Sequence, residues 1–130
     1  MRHLDTNVIS ALMQEVRNAE ILLTRHYPRV AISAITLAEM RFGIANSSRH
    51  AKNMAKLRAI LKLLDVIPFD EKCGVHYGVI RKSLHDKGRN VPDADLFIAA
   101  TALAHNAVLV THNKKDFEHI DGLQLEDWIA

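Results

Sequence analysis

The stretch Leu4-Asp5-Thr6-Asn7-Val8-Ile9-Ser10 decides the fold, because it leaves a short apolar run and enters a helical pattern with a carboxylate at the junction. A parallel α/β sheet binds its ligands just beyond the carboxyl ends of its strands, so an acid at such an end is placed for function. Outward from this point the same alternation of apolar patch, polar break and helical spacing recurs. Strands are predicted over Arg2 to Asp5, Arg29 to Ser33, Asp65 to Phe69 and Ala107 to Thr111. The last reads Ala-Val-Leu-Val-Thr, an apolar run suited to a strand covered on both faces. Helices are predicted over Val8 to Met13, Val16 to His26, Ile35 to Ala45, Ser48 to Leu64, Glu71 to Lys87 and Asp93 to His105. The expected fold is α/β: a single domain over residues 1–130, with a central parallel sheet of four to five strands and helices on both sides. Asn46-Ser47-Ser48 reads as a helical hairpin turn with a Ser cap. The loop from Lys87 to Pro92 closes one helix with Gly88 and opens the next, with Asp93 as its N-cap.

A chain of 130 residues, 48% hydrophobic and 25% charged, can bury one ordinary core, which sets disordered and fibrous classes aside. No window approaches the run of about 20 apolar residues that a spanning helix needs, and the N-terminus lacks the regions of a signal peptide. A cytoplasmic protein with no membrane association is therefore expected. Cys73 is the single cysteine, so neither a disulfide framework nor a thiolate zinc site is supported, and a small buried apolar role is expected for it. The net charge is only +2, but its distribution is uneven. Between Glu39 and Asp65 there is no acid, while Arg41, Arg49, Lys52, Lys56, Arg58 and Lys62 supply six cations. Either a path for phosphates or a solvated helix face accounts for such a run. The segment Ser48 to Leu64 also carries Met54, Leu57, Ile60, Leu61 and Leu64 at helical spacing, a stripe for core packing or for a partner helix.

Two further acids lie at strand-to-helix transitions. Glu39 shares helical offsets with Ile35, Ala38, Phe42 and Ala45, which predicts that it sits on the apolar, buried side. Burying an ionised carboxylate is costly without a cation, a metal or a raised pKa. Asp95 shares a face with Ile98, Ala99 and Ala102, although acids in a first helical turn also complement the helix dipole. Thr111 ends an apolar run and is placed to donate a hydrogen bond to a carboxylate or a bound water. Asp116 is either a fourth acid or the cap of a short turn that buries Phe117. Convergent carboxylates repel, and a hard divalent cation such as magnesium or manganese relieves this. No HExxH, calcium-loop, P-loop or GxGxxG pattern is present. The eight histidines lack zinc spacing, and His112, the one nearest the acids, is expected to face solvent. Ser10 lacks a nearby base and a nucleophile elbow.

These segments, together with Ile32 to Gly43, Asp95 to Ala102, Val110 to Asn113 and Gly122 to Trp128, resemble the PIN-domain proteins of the VapC and FitB type across essentially the whole chain. The resemblance implies the toxin of a type II toxin-antitoxin pair, a magnesium- or manganese-dependent endoribonuclease held inactive by a VapB-like antitoxin. It implies Asp5, Glu39 and Asp95 as the acidic site residues, with Asp5 and Asp95 as direct metal ligands and Glu39 bound directly or through water. Asn7 and Thr111 match supporting polar positions. Many PIN domains carry an acid where Asn113 stands and many VapC toxins one where Asp116 stands, so the fourth position falls to one of these two. Structured RNA such as transfer RNA is the implied substrate, with Arg41, Arg49, Lys52 and Lys56 guiding its backbone. A homodimer is implied, with Met54 to Leu64 as one candidate surface, and DNA is reached only through the antitoxin. The rivals are a PIN fold without catalysis that acts with its antitoxin on promoter DNA, and a metal-dependent phosphatase of small molecules. Retention of the three principal acids argues against the first, and the basic segment has no use in the second.

Overall fold

The computed structural model describes residues 1–129. Its elements, in order, are β1 (Arg2–Leu4), α1 (Thr6–Met13), α2 (Arg17–His26), β2 (Val30–Ser33), α3 (Ala34–Ala45), α4 (His50–Leu61), β3 (Asp65–Ile67), α5 (Glu71–Asp86), α6 (Asp93–Ala104), β4 (Val108–Val110), α7 (Lys114–Phe117) and β5 (Leu125–Glu126). The five strands pair in parallel in the order β3-β2-β1-β4-β5. The chain runs from β1 outward through β2 to β3, then returns to the other side of β1 with β4 and β5. The switch point of the topology therefore lies between β1 and β4, where an open α/β sheet forms its ligand crevice.

Alternate strand residues divide the core. Leu4, Val30, Ile32 and Val110 pack with α1, α2, α3 and α4 on one face, and Leu109 packs with α5, α6 and α7 on the other. Strand-to-helix junctions are fixed by side-chain caps: Asp5 accepts from Thr6 N, Ser33 from Thr36 N and Asp70 from Cys73 N. Gly88 closes α5 with φ +69, as its place in the loop predicts. Cys73 is buried.

Several expectations are corrected. Asp93 does not cap α6; Pro92 occupies that position without a side-chain bond, and Asp93 instead accepts from Tyr77 and pairs with exposed Arg81. Neither Ser47 nor Ser48 caps α4, which starts after Arg49, because the Ser47 hydroxyl is turned back to the Ile44 carbonyl. The apolar stripe of α4 is core: Leu57, Ile60 and Leu64 are buried, with Met54 and Leu61 packed against them. It therefore offers no dimer surface. The short α7 and β5 went unpredicted as elements, being too short to show a period. β5 is held by tertiary contacts instead: the Arg2 guanidinium grips Glu126 through Nε–Oε1 at 3.0 Å and Nη2–Oε2 at 2.9 Å, and Trp128 Nε1 donates to Glu126 at 2.9 Å. That pairing holds the Glu126 carboxyl below its usual range, the Arg2 hydrogen bond contributing most.

Candidate active site

Asp5 is the first residue beyond β1 and Thr111 the first beyond β4, so both stand at the switch point. The register pairs Leu4 with Val110, and Asp5 N donates to the Val110 carbonyl at 2.9 Å. This brings the two side chains together, with Thr111 Oγ1 donating to Asp5 Oδ2 at 2.9 Å. The other carboxylate oxygen accepts from Thr6 N at 2.8 Å, where it also caps α1. Asp5 is 4% exposed, and its carboxyl is raised above the usual range mainly by burial. The bonds from Thr6 and Thr111 oppose that rise, and the charge of Asp116 adds to it. Asn7 braces the same corner: its amide donates to Thr111 Oγ1 at 3.4 Å and its carbonyl accepts from His112 N at 3.0 Å.

Three more acids face this corner. Asp95, in the first turn of α6, is pushed up to about 6 by burial first, then by the charges of Asp5 and Asp116. Its helix neighbours Ile98, Ala99 and Ala102 are buried as their spacing predicts. Glu39 comes from the middle of α3, and its carboxyl is raised by partial burial and then by Asp5 and Asp95. Asp116 lies on α7, exposed, yet close enough for its charge to act on both Asp5 and Asp95. All four carboxylates are thus coupled across the ends of the central strands. Among the described residues no three acidic, imidazole or thiol groups are gathered tightly enough to close on one ion as they stand. The donor set is oxygen only, which suits magnesium or manganese and not zinc.

The facing of Glu39 is corrected. It is exposed, as are Ala38, Phe42 and Ala45, while Thr36, Met40 and Ile44 point into the protein. The α3 sequence is apolar on nearly every side, so its spacing does not distinguish inner from outer face. Glu39 reaches the other acids from the rim and not from the core. Asn113 donates its backbone N–H to Thr111 Oγ1 at 3.1 Å, and its side chain, like that of Asp116, is exposed. His112 is exposed as expected and pairs through Nδ1 with Asp127 at 3.0 Å.

The four cations named from sequence are dispersed. Lys56 lines a cleft with Glu39, whereas Arg41 reaches toward the Met54 sulfur at 3.6 Å and borders a separate hollow with His50 and Arg58. Arg49 and Lys52 are exposed near the start of α4. The cleft, about 360 Å³, also brings in Thr6, Ser10, Gln14 and Asn53, none of which was singled out for binding from sequence. Asn53 carries no motif at all, since α4 is brought to the site only by packing.

The PIN domain family matches residues 3–123. Ribonuclease VapC2 of Rickettsia felis is 38% identical over 130 residues, covering 96% of each chain. The tRNA(fMet)-specific endonuclease VapC of Salmonella typhimurium is 33% identical over 126 residues, again covering 96% of each. The solved structure of VapBC2 from Rickettsia felis, bound to a DNA fragment from their promoter, superposes with a TM-score of 0.90 at 35% identity and covers 98% of both chains.

Proposed function

Since the chain belongs to the PIN-domain family, alongside the VapC ribonucleases, we propose that it is the toxin of a toxin-antitoxin pair and a divalent-metal-dependent endoribonuclease. The observation that carries this reading is the set of four coupled carboxylates at the β1–β4 switch point, with Asp5 locked between two donors. Asp5 and Asp95 would hold a magnesium or manganese ion, with Glu39 joining directly or through water and Asp116 as the fourth acid. When bound, such an ion supplies a water of lowered pKa and positive charge toward the phosphoryl oxygens.

The chain's own residues do the rest. Thr111 fixes the rotamer of Asp5, so the carboxylate needs no reorganisation to face the crevice. Asn7 fixes Thr111 and the His112 backbone together, setting the width of the strand-end corner. The pKa values of Asp5, Glu39 and Asp95 are raised first by burial and then by their neighbours' charges, and a bound cation would offset both, which supports reading the acids as a site for one. Lys56 at the rim attracts the RNA backbone without regard to sequence. The cut would leave a 5′-phosphate and a 3′-hydroxyl, and the transfer-RNA activity named for the Salmonella relative makes structured RNA the substrate to test first.

Such an enzyme works in the prokaryotic cytoplasm, held by a VapB-like antitoxin that inserts a cation among the carboxylates and alone contacts promoter DNA. A homodimer would cover apolar side chains other than the α4 stripe. Phe42 on α3 is 73% exposed, and Val75 and Val79, one turn apart on α5, are 64% and 65% exposed. Protein freed of antitoxin should cleave total transfer RNA in magnesium and lose this activity in EDTA and as Asp5→Asn. Absence of cleavage, or cleavage indifferent to both changes, refutes the assignment.

A further inference from the structure

The cleft beside Glu39 lies where α1, α3 and α4 converge, and its contents differ from those of the acidic crevice. Its volume of about 360 Å³ falls at the lower end of the roughly 300–1,000 Å³ typical of small-molecule sites. Met13 and Met40 supply pliable apolar walls, suited to a flat ring of variable size. Ser10 and the amides of Gln14 and Asn53 supply donors and acceptors of both kinds, and Asn53 is oriented by donating to Ser47 Oγ at 3.2 Å. Lys56 adds one cation, and Glu39 is shared with the acids. Thr6, whose N–H holds Asp5, forms the other edge.

We propose that this cleft is a nucleobase subsite, which receives the base of one unstacked nucleotide adjoining the scissile phosphate and sets the enzyme's preference for cut sites. The inference rests on the ribonuclease reading above. Single-stranded RNA is read by inserting splayed bases into pockets that combine a flat apolar contact with hydrogen bonds to base edges, and this lining provides both. The cation favours the adjoining phosphate. A peptide segment is the lesser fit, because Met13, Met40 and Ile44 are the large apolar side chains among the cleft's lining residues, few for seating a second chain, whereas Ser10, Gln14, Asn53 and Lys56 suit the polar edge and phosphate of a nucleotide.

Gly43 makes the test clean. It lies on the cleft wall within α3, and a Cβ built there meets nothing within 4 Å. A side chain there therefore starts in open space at the cleft wall, and replacing glycine within a helix favours folding. Gly43→Leu and wild type should be compared on a randomised single-stranded RNA pool and on total transfer RNA, in magnesium. The expected result is a KM raised at least about tenfold with kcat changed much less, an altered base preference next to the cut, and a thermal midpoint no lower than wild type. Asn53→Asp, which replaces an amide donor by a carboxylate beside Glu39, should change the base preference and also raise KM. Unchanged KM and cut pattern in Gly43→Leu overturn the subsite, as does a variant that cleaves RNA normally but escapes its antitoxin, which would make the cleft a peptide site. If wild type cleaves no RNA, the ribonuclease reading itself has failed, a result distinct from either.

Discussion

Asp5 does two jobs with one carboxylate, capping α1 through Oδ1 and accepting from Thr111 through Oδ2, and this double engagement is what keeps it aimed at the crevice. Thr111→Val removes the second bond while keeping the shape. Activity should fall about 10- to 100-fold, as it does when groups that orient metal ligands are lost. Thr111→Ser should recover most of the activity, and steady-state kinetics in magnesium decides. Asp95 allows a separate test by pH. Its folded pKa of about 6 lies above the ordinary carboxylate value of 3.8, so the folded state binds its proton more tightly. The resulting stabilisation is complete below about pH 4 and disappears as the pH rises through 6, leaving a charge that opposes folding. In EDTA at pH 7, Asp95→Asn should therefore unfold at higher temperature than wild type, and the gap should close toward pH 4. A variant no more stable at pH 7 would contradict the penalty of burial and neighbouring charge inferred for Asp95.

Among the elements, the least conspicuous in sequence carries much of the closure. The strand β5 has two residues, yet Arg2, Glu126 and Trp128 form a linked cluster that ties it across the sheet edge, with Trp128 1% exposed. Trp128→Ala should cost about 3–5 kcal/mol of stability, measured by chemical denaturation, as for other large buried side chains. Gly88 has a narrower role. At φ +69 an alanine is strained, so Gly88→Ala should destabilise by about 1 kcal/mol while leaving catalysis per folded molecule unchanged. Helix α3 shows the limit of periodicity at this scale. With Ile35, Leu37, Ala38, Met40, Phe42 and Ile44 all apolar, the choice to bury Thr36, Met40 and Ile44 was made by the sheet and α4, not by α3 itself.

For the whole molecule, the acids at one end of the sheet and a buried imidazole at the other pull stability in opposite directions with pH. His3 is 1% exposed with both ring nitrogens unpartnered, its ring tilted at 46° to that of His105 with centroids 5.9 Å apart, and its pKa is lowered to about 4, first by burial and then by the His105 charge. A base whose folded pKa is lowered stabilises above its unfolded value of 6.5, and that stabilisation is lost as the pH falls toward 4. His3→Leu should therefore flatten the acid limb of the stability curve between pH 6.5 and 4. Divalent ions should act globally through the other end: magnesium should raise the thermal midpoint of wild type by mass action, and Asp5→Asn should not respond. The sequence by itself determined the alternating α/β plan, the strand-end positions of Asp5 and Thr111 and the inward facing of Asp95, because strand ends and helix starts are written in local apolar runs and polar breaks. Only the tertiary structure decided that Glu39 approaches from an exposed rim, that the charge of Asp116 reaches Asp5 and Asp95, that the α4 stripe is core, and that Asn53 and Lys56 share a cleft with Glu39. Those outcomes depend on which helix faces compete for the sheet, and no single helix encodes the result of that competition.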